Sequence, residues 1–172
     1  MGELETKMIK ETYSQAGQDL WVLSMFPKGY KGTFLDIGCF LPFYLNNTYL
    51  LELNGWSGLS VDIADYSERW KKRDTPFVCS DGTIFKIDKD YDYLSLDVEG
   101  EGKRYEVLKS IMDQGCNFKL ISIEHDTYRG YIETEREPQR KLLKSLGYEL
   151  YKPDVQLNGK SFEDWWVNPK LI

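Results

Sequence analysis

The run from Thr33 to Asp62 constrains the fold of this chain more than any other stretch. An apolar segment, Thr33-Phe34-Leu35-Asp36-Ile37, reaches Gly38, and a loop leads to a helix-like run from about Asn47 to Leu53. Gly55 and Gly58 bracket a turn, and a second apolar segment, Leu59-Ser60-Val61, ends at Asp62. The pattern is strand, glycine turn, helix, strand, with an acid closing the second strand. Such a unit binds the adenosine half of a cofactor: the turn lets a ligand approach the backbone, and the acid accepts two ribose hydroxyls. Asp62 follows Gly38 by 24 residues, near the expected separation. One glycine stands where a dinucleotide fingerprint needs three, which weighs against a pyrophosphate cradle. A cofactor with adenosine and no pyrophosphate fits better, and S-adenosylmethionine is the common one. Gly38, Asp62 and its neighbour Ile63 are the first expected contacts.

The length of 172 residues suits one domain with a real core, and 41% hydrophobic and 29% charged residues indicate a globular chain. We expect a polar N-terminal segment over 1–12 and the folded domain over 13–172. The net charge of -6 argues against nucleic acid as a partner, because phosphate contacts need a basic face. Cys39, Cys79 and Cys116 show no metal spacing and cannot all pair, so they read as reduced core cysteines. No apolar run approaches the ~20 residues of a membrane span. No signal peptide is visible, and the expected location is cytoplasmic. Met1–Thr6 and Asn46-Asn47-Thr48 formally match myristoylation and glycosylation patterns. We read both as coincidences, the first because two acids fall inside it, the second because it lies in the cofactor loop.

Taken in order, Ser14 can cap a helix whose apolar face includes Leu20, Val22, Leu23 and Phe26. After the core unit, Asp65 to Arg73 reads as a helix and Pro76 to Cys79 as a third strand ending at Ser80-Asp81-Gly82. Asp81 can accept from an adenine amino group, with Ser80 beside it; a plain turn aspartate is the alternative. Thr83 to Asp92 is too short for a crossover helix with two loops, so a small hairpin or extended connection is expected. Tyr93 to Asp97 is a fourth strand, Glu101 to Gln114 a helix and Phe118 to Glu124 a fifth strand. A helix over Thr134 to Leu146 should start late or bend at Pro138. Strands at Tyr148–Tyr151 and Phe162–Val167 complete the chain, with Asn158-Gly159 between them. Strand and helix alternate, so the expected fold class is α/β, a Rossmann-like, doubly wound, mostly parallel sheet. Asp36, Asp62, Asp81, Asp97 and Glu124 each fall at or near a strand's C-terminal end, the edge where such sheets bind ligands.

Several short stretches resemble the FkbM-type methyltransferases. They are Ser14-Gln15-Ala16-Gly17-Gln18-Asp19, Leu35-Asp36-Ile37-Gly38-Cys39, Asn47-Thr48-Tyr49-Leu50-Leu51-Glu52, Gly55-Trp56-Ser57-Gly58, Leu96-Asp97-Val98-Glu99-Gly100, Ile123-Glu124 and Leu146-Gly147-Tyr148. The resemblance spans roughly Tyr13 to the C-terminus. It implies S-adenosylmethionine-dependent methyl transfer, often to a hydroxyl of a sugar, glycan or other small acceptor. It also implies cofactor contacts around Asp36 and Gly38 and from Gln18, Asn47, Thr48 and Asp97. The chain departs from many members in having Phe40-Leu41-Pro42-Phe43 where an acid-glycine pair is common.

Methyl transfer to a hydroxyl needs in-line placement and benefits from a base. His125, the single histidine, is the first candidate, with Asp97 and Glu99 as alternatives. Asp97 and Glu124, with Asp126 close by, would also admit a divalent cation, although no residue is assigned as a ligand. Phe43, Tyr44, Tyr128, Tyr131, Trp165 and Trp166 are candidates for a sugar platform or for core packing. Two rivals stand beside this reading: a nicotinamide-dependent oxidoreductase, and a binding domain without turnover.

Overall fold

The structure, a computed structural model, describes residues 12–172. The Met1–Thr6 pattern and nearly all of the expected polar segment lie outside those residues. Seven strands form one sheet: β1 (Thr33–Ile37), β2 (Ser57–Asp62), β3 (Phe77–Cys79), β4 (Tyr93–Leu96), β5 (Leu120–Glu124), β6 (Glu149–Leu157) and β7 (Lys160–Val167). Their spatial order is β3-β2-β1-β4-β5-β7-β6. β1 to β5 are parallel, and β7 runs antiparallel to both β5 and β6. The helices are α1 (Gln18–Ser24), α2 (Tyr49–Leu53), α3 (Ser67–Trp70), α4 (Lys103–Asp113) and α5 (Glu137–Ser145).

The strands bury both faces, and their period of two divides the core. Leu35, Ile37, Leu94, Leu96, Ile121, Ile123 and Trp166 pack with Val107, Leu108 and Ile111 of α4 and Leu143 of α5. On the other face Phe34, Tyr93, Leu120, Trp165 and Val167 pack with Trp21 and Val22 of α1 and Leu51 of α2. Each fully buried large apolar side chain contributes roughly 1.5–3 kcal/mol. One step along the strands this second face turns polar. Asp36 registers with Ser60 and Ser95, and Ser95 with Ser122. Asp97, Glu124 and Glu163 occupy the next step in the alternation, at the C-terminal edge of β1 to β5.

Local chemistry moves several expected boundaries. Ser14 does not cap α1, which starts at Gln18 after Gly17 at φ 81°. Instead Asp19 gathers the preceding chain, accepting from Thr12 Oγ1 (2.6 Å), Tyr13 N–H (2.9 Å) and Ser14 Oγ (2.8 Å). The helix expected over Asp65–Arg73 shortens to Ser67–Trp70, because Arg73 turns into a buried ion pair with Glu52. Residues 83–92 form an extended connection, held to α4 by Ser110 on the Thr83 carbonyl (2.7 Å) and by Gln114 on Phe85 and Ile87 (3.0 Å each). A π-helical turn, Ile132–Arg136, precedes α5, and Pro138 sits in the first turn of that helix, matching the late start. β6 and β7 are longer than expected. Asn158 and Gly159, both at positive φ (52° and 75°), close them into a tight hairpin.

Gly38 also has a role within the sheet itself. At φ 79°, a Cβ there would stand 1.7 Å from the Asp97 carbonyl oxygen, so the glycine lets the ends of β1 and β4 close on each other. Gly38→Ala combines left-handed strain with this overlap and should cost about 2 kcal/mol or more. Urea unfolding measures it; an unchanged midpoint would show that the turn relaxes freely.

Candidate active site

Asp97, just past β4, and Glu124, ending β5, meet at the polar step of the sheet. Burial pushes the Glu124 carboxyl well above the ordinary range, and the Asp97 charge and a shared hydrogen bond push it further. Burial and proximity thus raise both carboxyls of this pair, Glu124 the more strongly. Burial also raises Asp97, although the bond from Glu124 and the Arg104 charge oppose it. Opposite Glu124 in the β5–β7 register lies Glu163, pushed up to about 8 by burial despite hydrogen bonds from Trp165 and Gln18.

While the exposed Arg129 reaches Asp126 from outside at 3.4 Å, the buried positive charge among these acids belongs to Arg104. Its Nη2 lies 2.9 Å from Asp126, 3.3 Å from Glu124 and 3.6 Å from Asp97. The guanidinium thus stands among the carboxylates considered above as holders of a divalent cation. Glu135 supports it from behind. Its carboxylate accepts the backbone N–H groups of Arg104 (3.2 Å) and Tyr105 (2.9 Å), capping a helix whose own first residue is Gly102-preceded and has no side-chain cap. Sequence reasoning missed Arg104. The signal was present: Arg104 shares the helical stripe of Val107, Leu108 and Ile111, where a charge needs a buried partner.

A cleft of about 310 Å³ opens over this cluster, lined by Asp97, Glu99, Glu124 and Asp126 with Gln15, Tyr128, Arg129, Lys160 and Phe162 among others. Asp97 is a third exposed there, and Glu99 stands at the mouth, 3.8 Å from Arg129. Trp165 and Trp166 are core residues, whereas Phe43, Tyr44 and Tyr128 are exposed.

On the other side of Gly38, Asp62 accepts the Phe40 N–H on Oδ2 and the Ala64 N–H on Oδ1, both at 2.9 Å. Each oxygen keeps further acceptor capacity. Ile63 beside it is 71% exposed, an apolar side chain with no core to enter. Ser80 donates its N–H to the Asp62 carbonyl (2.8 Å). Asp81 accepts from Thr83 N–H and Oγ1 at 2.8 and 2.7 Å, which hold it below the usual carboxylate range in the manner of a turn aspartate. The remaining expected cofactor residues turn inward. Asp36 is buried, raised to about 6 by desolvation, and accepts from Thr48 Oγ1 at 3.0 Å. Thr48 has no exposure, Asn47 donates to Ser95 Oγ (3.1 Å), and Gln18 bonds Glu163 (3.2 Å) and the Ala16 N–H. Through side chains these four brace the site rather than face it.

His125 does not reach the cleft. It continues the alternation of Ile121 and Ile123, so it falls on the face opposite Glu124. There it is fully buried, with Nε2 3.4 Å from Asp164 and 3.6 Å from Asp154. Both carboxylates are also paired with Arg140, and its bidentate contact helps hold Asp164 down near 2. The expected base is thus buried beside the Arg140 ion pairs with Asp154 and Asp164, away from the cleft. The alternation Ile-Ser-Ile-Glu-His in the sequence already carried that information.

No family model matches the chain, and no curated protein matches it by sequence. Solved structures do match. Magnesium protoporphyrin IX methyltransferase from Synechocystis, with bound S-adenosylmethionine, aligns over 87% of this chain and 76% of its own at a TM-score of 0.66 and 14% identity. The chain has a Rossmann-like class I methyltransferase fold. An N-methyltransferase from Bradyrhizobium japonicum aligns over 90% of this chain and 94% of its own, at a TM-score of 0.60 and 15% identity. The 1,6-didemethyltoxoflavin-N1-methyltransferase of Burkholderia thailandensis, with bound 1,6-didemethyltoxoflavin and S-adenosylhomocysteine, gives 89%, 76%, 0.58 and 12%. No helix among the described residues is long and apolar enough to cross a membrane.

Glu163 makes the stability of this arrangement pH-dependent. The unfolded chain releases the glutamate proton near 4.5, while the folded protein keeps it up to about 8. Folding therefore loses stability as pH rises between those values. In Glu163→Gln the fall in stability from pH 5 to 8 should be visibly shallower in urea titrations; an unchanged slope would remove Glu163 from the account.

Proposed function

We propose that this chain is an S-adenosylmethionine-dependent O-methyltransferase acting on a hydroxyl of a sugar, glycan or similar small acceptor, within or close to the FkbM-type enzymes. One observation carries the reading. An acid followed by an exposed apolar residue, Asp62-Ile63, and a proton-sharing acid pair, Asp97 and Glu124, flank Gly38 on one sheet edge. The residues fit the cofactor. Asp62 has acceptor capacity for ribose hydroxyls, Ile63 offers a surface for adenine, and Ser80 and Asp81 lie at the adenine end. When bound, the cofactor supplies a methyl group on a positively charged sulfur. The bound cofactors of the Synechocystis and Burkholderia structures support the same assignment.

In this reading the protein mainly places and deprotonates. The cleft holds the acceptor beside Asp97, whose exposed oxygen accepts the hydroxyl proton as the new bond forms. Glu124 keeps its own proton and fixes Asp97 by donating to it, and Arg104 compensates the charge on Asp97. Glu99 and Arg129 contact the outer part of the acceptor, with Tyr128 as the aromatic surface. The acid-rich lining supports a second reading, an amine acceptor, since carboxylates also hold and deprotonate an ammonium group.

Calorimetry with S-adenosylhomocysteine tests the first half: binding should be clear, and Asp62→Ala should weaken it about tenfold or more. Binding of NAD alone would replace this reading with an oxidoreductase. For the second half, labelled-methyl transfer to hydroxyl and amine acceptors decides the acceptor class. Asp97→Asn should lower kcat by roughly 10²–10⁴-fold while leaving S-adenosylhomocysteine affinity nearly unchanged.

A further inference from the structure

The loop between β1 and α2 follows a path that its own backbone does not stabilise. Phe40 and Leu45 both take positive φ (49° and 50°) without being glycine, a conformation that persists only where the surroundings impose it. Four successive carbonyls in this loop accept from side chains rather than from a helix or strand. Asn46 Nδ2 donates to Cys39 (3.4 Å) and Leu41 (3.2 Å), Trp70 Nε1 to Phe40 (2.9 Å) and Arg73 Nη1 to Pro42 (2.6 Å).

Arg73 lies behind most of these contacts. Its Nη1 also reaches Asn46 Oδ1 at 3.3 Å, and Nε donates to Glu52 at 2.9 Å. The guanidinium faces the Tyr49 ring at 5.0 Å and the Trp70 ring at 4.9 Å. It therefore touches both side chains that serve the loop's other carbonyls, Asn46 and Trp70, and its charge is compensated by Glu52. The loop's shape reaches the Asp62 edge at Phe40, whose N–H is held on that carboxylate.

We propose that Arg73 is a positioning residue for nucleoside binding: by clamping Pro42, Asn46 and Trp70 it holds the Phe40 N–H on Asp62 and so fixes the carboxylate that receives the ribose. The proposal rests on the reading of the Asp62 edge as the nucleoside site. Arg73 touches no ligand in this scheme and acts through the loop. A lysine in its place keeps the charge but cannot form the same set of bonds to Glu52, Pro42 and Asn46 with one planar group.

The test compares wild type, Arg73→Lys and Trp70→Phe by S-adenosylhomocysteine calorimetry well below each variant's Tm, together with hydrogen exchange of the Phe40 amide. Arg73→Lys should bind about tenfold more weakly, with Phe40 exchange about tenfold faster and β1 and β4 amides unchanged. Trp70→Phe, which removes the bond to the Phe40 carbonyl while keeping an aromatic ring beside Arg73, should show the same signature at about threefold, and it carries the test if Arg73→Lys does not fold. A lower Tm with wild-type affinity and unchanged Phe40 exchange would make Arg73 purely structural and overturn the proposal. Failure of the wild type to bind S-adenosylhomocysteine would instead defeat the nucleoside reading, and this proposal with it.

Discussion

One guanidinium sets the terms for the acidic half of the site. Arg104 carries a single positive charge, and Asp97, Glu124, Asp126 and Glu135 all lie within 4.0 Å of it. Four ionised carboxylates around one buried cation would leave a large uncompensated charge in a medium that screens poorly. Burial and the neighbouring acids accordingly push Glu124 well above the ordinary carboxylate range. The exposed carboxylate and its buried neighbour are thus one unit, in which burial raises both acids and the Arg104 charge opposes the rise at Asp97. Truncating a partner in such a network leaves another group unpaired, so the arginine and the acids depend on each other.

The fold was largely legible because it is written in alternation. Short apolar runs, glycine turns and acids at strand ends identified the seven strands and the edge that carries the site. Parity was legible too, but it needed to be followed one residue further. Glu124 and His125 are neighbours in sequence and lie on opposite faces of the sheet, so the single histidine that looked like a base became part of the α5-side core. Arg104 and Arg73 were harder to find. Their partners come from distant segments, Glu135 and Asp126 for one, Glu52, Asn46 and Pro42 for the other, and no local spacing encodes such meetings. The only local hint was a charged residue on an apolar helical stripe at Arg104.

The two arginines divide the labour of the edge. Arg104 governs charge among the carboxylates beneath the cleft, and Arg73 governs backbone shape beside Asp62. Gly38 lies between them, and its missing side chain is what lets the loop after β1 pass against the Asp97 carbonyl. The side chains of Gln18, Asn47 and Thr48 form a bracing layer tied to Glu163, Ser95 and Asp36. A polar layer of this kind fixes positions that an apolar core would leave free to slide.

The two margins of the sheet have a consequence for how copies of this chain meet. β3 offers only three residues, and β6 carries Pro153, which has no N–H, among repeated register shifts against β7. A regular ladder cannot be extended from either side. Strand-by-strand polymerisation, the usual hazard of an open sheet, thus finds a three-residue stub on one margin and a proline-interrupted, irregular strand on the other.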